Sequence, residues 1–235
     1  MPTATTLTTA LFSLLVLVMA IVTAAGLRRA GLGTGVVASI LLLYLVVPAI
    51  LAKSGALNRY SPLPAPALLL LLALSITTVV VVSSRIGAKV SLALPIAWIV
   101  LFQSFRIGVE FLLHRLYLEG AVPVQMTYSG RNFDIISGLI GLGLGLWLLS
   151  GRSAPRPVLF ALNLLGLGLL LNIVIVAVLS TPVPFRVFTE GPPNLLPSTF
   201  PFIWLPSFLV QLALASHLLI FRKLRQTAGD SLLRA

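Results

Sequence analysis

Residues 90–117 read VSLALPIAWIVLFQSFRIGVEFLLHRLY, an apolar run broken by polar side chains at Gln103, Arg106, Glu110, His114 and Tyr117. The intervals are three, four, four and three, so at about 100° per residue these side chains fall within roughly 80° of one helix face. A helix that begins near Ser91 and rises about 1.5 Å per residue carries Arg106 roughly 20 Å along its axis. That depth lies inside a hydrocarbon layer about 30 Å thick, and His114 reaches its edge. The run is read as a membrane helix whose one charged stripe faces protein rather than lipid.

The rest of the chain repeats the apolar pattern. Breaking it at charges and at Pro/Gly clusters gives segments near 8–26, 32–52, 66–84, 90–117, 133–150, 157–180 and 200–221. Each is close to the roughly 20 residues that span a bilayer. The expected fold is all-α: a polytopic transmembrane bundle of seven helices forming one integral membrane domain over residues 1–235. Composition agrees, since 58% of residues are hydrophobic and only 9% charged, with mean hydropathy +1.10, where a soluble domain carries about 25% charged residues. Ala24-Ala25-Gly26 resembles a signal-peptide cleavage site, but no positive region precedes the first apolar run, so a retained anchor is expected.

The 235 residues contain no Cys, which excludes disulfides, thiolate nucleophiles and Cys-ligated metals. The net charge of +11 is spread in pairs between apolar runs rather than gathered in a patch, so no nucleic-acid partner is expected. The pairs read as topology signals. Arg28 and Arg29, Arg85 and Lys89, Arg152 and Arg156, and Arg222, Lys223 and Arg225 fall on alternate connections. Cytoplasmic loops retain such charge, so the expected topology places the N-terminus outside and the C-terminus in the cytoplasm. Of the five acids, Glu110, Glu119, Asp134 and Glu190 map to the outer half of the fourth segment or to the outer loops, with Asp230 elsewhere.

An arginine at bilayer depth costs about 2.5 to 3.5 kcal/mol on insertion scales unless it meets an anion. Three partners are available to Arg106: Glu110 one turn on, Asp134 at the start of the fifth segment, and Glu190 in the last outer loop. Two readings stay open, a ligand or proton site and a buried pair that fixes helix register. Glu110 and His114 at i, i+4 lack the repeated His or Cys of a strong metal signature, and no metal is expected. His217 is counted about 17 residues into the last segment and expected near the opposite face from His114, which argues against a shared haem. Lys223 stands at a helix exit, so a retinal Schiff base is not expected either. No cofactor is assigned.

Two outer connections carry the remaining candidates. In residues 122–134, Ser129-Gly130 marks a turn, and Asn132 or Asp134 is suited to cap the next helix, leaving Arg131 and Tyr128 for a pocket. Residues 181–199, rich in Pro, hold Arg186 and Glu190, expected to form a lid over the polar stripe. Gly141 and Gly145 have small-xxx-small spacing, and Asn163 and Asn172 are suited to bonds between helices.

Four stretches, Arg106-Ile-Gly-Val-Glu110, residues 126–134 (MTYSGRNFD), Pro184-Phe185 and residues 201–206 (PFIWLP), resemble an uncharacterised family of bacterial multi-pass membrane proteins. The resemblance covers the second half of the chain. It implies a bacterial inner membrane and carries no activity.

The residues lead to one expectation of function. A polar pocket facing outward, built from Arg106, Glu110, His114, Arg131, Asp134, Arg186 and Glu190, would bind a small polar or anionic ligand or a lipid head group. Membrane lipids are the expected partners. The alternative is a membrane-embedded hydrolase or transferase with Glu110 or Asp134 as base and His114 as acid. A transporter or a structural subunit are further alternatives.

Overall fold

The computed structural model describes residues 4–232, with side chains as far as Gln226, so Asp230 lies outside the described side chains. The elements are α1 (Thr6–Arg29), α2 (Thr34–Lys53), α3 (Pro66–Ser83), α4 (Arg85–Ala93), α5 (Ile96–Leu118), α6 (Ile135–Leu149), α7 (Arg156–Ser180) and α8, which begins with a π-turn at Leu205–Leu209 and continues as Val210–Leu232. No strand occurs among the described residues.

Among the described residues, six helices are long and apolar enough to cross a membrane: α1, α2, α3, α5, α7 and the Leu205–Gln226 part of α8. The expected count of seven is thereby corrected to six. The fifth expected segment forms α6, only 15 residues long, about 22 Å at 1.5 Å per residue. Its shortness has a local cause. Residues 121–134 tuck partly into the protein, with Val122, Thr127 and Asn132 fully buried while Ser129, Arg131 and Phe133 stay exposed. α6 therefore starts from a segment partly enclosed by protein. Irregular backbone in such a place is tolerated where protein surrounds it and supplies its hydrogen bonds, as here in Gly130 N to Thr127 O at 2.9 Å and Arg131 N to Gln125 O at 3.1 Å. The turn requires glycine, because a Cβ at Gly130 would stand 2.2 Å from the Val124 carbonyl oxygen.

α6 lies against α5 through three glycines. A Cβ at Gly138 would meet Ile107, at Gly141 it would meet Gln103 and at Gly145 Leu101, all within 2.8 Å. The small-residue spacing serves close backbone approach, without a hydrophobic driving force between helices in lipid. α5 itself bends at Gln103 and Ser104, where Gln103 N bonds Val100 O and Ser104 N bonds Leu101 O at the tighter i→i−3 spacing.

Two π-turns face one another. Pro48 has no N–H for the Tyr44 carbonyl, and α2 widens into a π-turn at Leu42–Val46. The carbonyls loosened there are taken by α8: Ser207 Oγ donates to Tyr44 O at 3.1 Å and Trp204 Nε1 to Leu45 O at 2.9 Å. Gln211 Nε2 does the same for Pro206 O at 3.0 Å.

The basic connections gather at one end. Arg222 donates to Val82 O and Ser84 O, and Lys223 to Ser91 O and Leu94 O, tying α8 to the α3–α4–α5 turns. At the other end Thr5, Thr8 and Arg115 close on Glu119. The flanks between are apolar and outward-facing, as with Leu7, Leu14, Leu17 and Ile21 on α1, each more than half exposed. Such a belt suits lipid rather than water.

Candidate functional site

Arg106 sits ten residues into α5, roughly 15 Å from its start, and is 2% exposed. Its guanidinium forms a two-point pair with Asp134, Nε donating to Oδ2 at 2.6 Å and Nη2 to Oδ1. Nη2 also reaches Gly166 O at 3.3 Å, and Nη1 lies 2.8 Å from His217 Nε2. A guanidinium can only donate, so Nε2 of His217 must accept. The ring proton then sits on Nδ1 and goes to Asn163 Oδ1 at 2.8 Å, while Asn163 Nδ2 donates to His217 O at 3.0 Å. The tautomer is assigned by this network, whose donors and acceptors match at every step.

Glu110, one turn along α5 and 1% exposed, makes a different set of bonds. Both carboxylate oxygens accept from Asn132 Nδ2 at 2.7 Å. Asn132 Nδ2 also bonds Met126 O at 3.1 Å, and its Oδ1 accepts from Asp134 N at 3.0 Å. Asn132 thus holds the two carboxylates in fixed relation. It acts through an Asx-type bond to the Asp134 amide, whereas the Asp134 side chain makes no cap bond to α6 because it is spent on Arg106.

Of the three partners open to Arg106, the structure selects Asp134. The other expected residues divide. Glu110 joins the buried network. His114 is half-buried and stacks on Tyr128, ring centroids 4.5 Å apart, with its Nδ1 buried and unpartnered. Arg131 is exposed, its guanidinium over the Phe188 ring at 5.4 Å, and its carbonyl accepts from Asn172 Nδ2 at 2.7 Å. Arg186 turns onto its own loop, donating to Phe188 O at 2.7 Å and Gly191 O at 3.1 Å, and Glu190 is exposed. The cover over the stripe comes instead from Asn194, Leu196 and Pro197 of the same connection.

His217 is the residue whose expected position is corrected. It belongs to the buried network, not to a far face. Counting from residue 200 overstated its depth, since residues 200–203 are turn and α8 begins only at Leu205 with its proline at 206. Asn163 is the usable signal, one of two asparagines on a mostly apolar helix, each of which meets a partner.

A cavity of about 70 Å³ adjoins the network between α3, α5, α7 and α8. Leu68 and Leu71 of α3, Val174 and Val178 of α7 and Leu209 of α8 contribute apolar wall, and Arg106, Glu110 and Asp134 also line it. A smaller cavity, about 30 Å³, lies among Gln103, Ser137, Asn163 and His217. The Gln103 amide faces it with neither atom bonded to protein. No three His, Asp or Glu side chains converge as metal ligands among the described residues.

The chain belongs to a family described as a domain of unknown function, DUF8737, whose model matches residues 62–225. That stretch runs from before α3 to the end of the described membrane part of α8 and contains every residue of the buried network. No curated protein and no solved structure matches the chain.

Proposed function

We propose that this protein resides in a bacterial inner membrane, N-terminus outside and C-terminus in the cytoplasm, with α6 and residues 121–134 together adding one crossing to the six long helices, and that it binds a lipid-like molecule in the cavity between α3, α5, α7 and α8. One observation carries the reading: this slot, lined mainly by apolar side chains, also has Arg106, Glu110 and Asp134 in its lining. An amphiphile satisfies both parts, its chain against the walls and its polar group at the charges. Val174 and Val178 are only partly buried, which supports access from the lipid side.

The experiment is lipid retention. Purified protein extracted in mild detergent is analysed by native mass spectrometry, beside Val174→Trp, which fills the slot from the α7 side. A defined lipid mass on the wild-type chain that Val174→Trp loses supports the reading. Equal retention by both sinks it.

A second reading, a hydrolase or transferase acting on the same amphiphile, is favoured by Glu110. Glu110 lines the slot and its carboxylate is engaged only by the Asn132 amide, which suits it to take a proton from a bound hydroxyl or amine. Turnover of a lipid analogue, lost in Glu110→Gln with binding retained, distinguishes this from binding alone.

A further inference from the structure

The polar lining of the slot can be read by hydrogen-bond capacity. Arg106 has five N–H bonds, and four are spent on Asp134, Gly166 O and His217. Both Asp134 oxygens accept from Arg106. The other polar side chains on the cavity wall are committed to backbone: Asn194 Nδ2 to Ala177 O, its Oδ1 to Leu196 N, and the Thr181 hydroxyl to Ala177 O. Glu110 differs. A carboxylate offers about four acceptor sites, and this one meets a single amide nitrogen. The charge balance points the same way, because two carboxyl groups stand beside one guanidinium, and Arg106 is paired with Asp134 while Glu110 makes no ion pair among the described residues.

We infer that the ligand's polar group is a hydrogen-bond donor, an ammonium or a hydroxyl, seated on the Glu110 carboxylate. This rests on the amphiphile-binding reading above and narrows it. An acid or a phosphate is disfavoured, since it would bury a third acidic group beside Glu110 and Asp134 with only one Arg106 N–H left to meet it. A donor meets the carboxylate that shares a single amide nitrogen, where Asp134 already takes two guanidinium nitrogens, and an ammonium would also compensate its charge. Between the two donors, the geometry of the acceptor is the same, and the charge of the ligand decides.

The test uses four photoactivatable probes with one alkyl chain length and one diazirine position, ending in amine, alcohol, carboxylate or phosphate. They are mixed in turn into phosphatidylcholine nanodiscs holding the full chain, and labelling of the slot walls is mapped by mass spectrometry. The amine or the alcohol is expected to label the slot about tenfold more than the carboxylate and phosphate, a ratio worth about 1.4 kcal/mol. In Glu110→Gln the amine loses that advantage, whereas an alcohol keeps it, because Gln retains an acceptor without the charge. The ranking of head groups is read on the wild-type chain and stands even where the variant fails to fold. Preference for carboxylate or phosphate, or equal labelling by all four heads, overturns the inference while leaving the slot occupied. Absence of slot labelling by every probe, unchanged in Val174→Trp, defeats the amphiphile reading itself.

Discussion

The Arg106 guanidinium and the Asp134 carboxylate meet in a two-point pair across 28 residues of chain, joining the middle of α5 to the start of α6. Both groups are buried, at 2% and 5% exposure. A buried pair of this kind contributes little over an apolar replacement, but breaking it strands a charge. Arg106→Leu and Asp134→Leu should each destabilise by roughly 3–5 kcal/mol, and the double substitution by clearly less than the sum. The measurement is a double-mutant cycle on unfolding in detergent. A cycle between Arg106 and Glu110 should give a smaller coupling, since Glu110 spends its bonds on Asn132. Coupling larger for Glu110 than for Asp134 would contradict the pairing.

The His217 ring is held from both sides, and Gly166 makes the room. A Cβ at Gly166 would stand 2.7 Å from His217 Cε1. Gly166→Ala should therefore push the ring off Arg106 and Asn163 at a cost of roughly 1–3 kcal/mol. His217→Leu should cost a similar amount, about 1–3 kcal/mol, by leaving an Arg106 N–H and the Asn163 carbonyl without partners. Because both changes act on the same contacts, the double variant should be little worse than His217→Leu alone. Full additivity of their melting-temperature shifts would place the Gly166 effect elsewhere.

Glu119 supplies the pH dependence outside the membrane-spanning helices. Burial acts to raise its pKa, but hydrogen bonds from Thr8 and Thr5 and the charge of Arg115 outweigh this, and its carboxyl lies below its ordinary 4.5. With the folded value depressed, the clasp between α1 and the end of α5 is fully stabilising above about 4.5 and is lost as pH falls through the lower, folded value. Hydrogen exchange at the amides of Thr8 and Thr9 should accelerate, relative to intrinsic rates, below that window. Glu119→Gln should show no such step, and an identical step in the variant would assign it to another group.

The sequence is informative where lipid imposes a simple rule. Runs of about 20 apolar residues are needed to span a bilayer, so 8–26, 32–52, 66–84 and 157–180 closely anticipate α1, α2, α3 and α7. The helical spacing of Gln103, Arg106 and Glu110 likewise anticipates their burial. What escapes this reading is set by tertiary contact. Residues 121–134 look like an ordinary polar loop because their signals, Ser129-Gly130 and Asn132, describe a turn and say nothing of its depth. Their folding inward is what shortens α6 and brings Asp134 to Arg106. His217 is hidden for a related reason, since residues 201–203 form a turn before α8 and shift every depth counted from residue 200. Arg186 illustrates the opposite error. A charged residue in a stiff loop reads as a lid, yet a guanidinium within reach of carbonyls two and five residues on can be satisfied locally.

The proposed topology can be tested directly because the chain has no Cys of its own, so a single introduced thiol is the only reactive one. Ser129, Ser153 and Thr189 are all exposed, which keeps accessibility from deciding the result. Ser129 and Thr189 belong to the end holding Glu119 and Glu190, and Ser153 to the end where Arg152, Arg156, Arg222 and Lys223 collect. Retention of basic loops in the cytoplasm predicts that an impermeant maleimide added to intact cells labels Ser129→Cys and Thr189→Cys and spares Ser153→Cys. Ser153→Cys should react once the cells are permeabilised, which separates protection by the membrane from burial. The same experiment bears on α6. With six helices long enough to span, opposite faces for Ser129 and Ser153 require the 15-residue α6 and the inward-folded 121–134 segment together to complete one crossing. Labelling of all three positions in intact cells would mean that this composite crossing does not exist, and reversed labelling would invert the orientation of the slot.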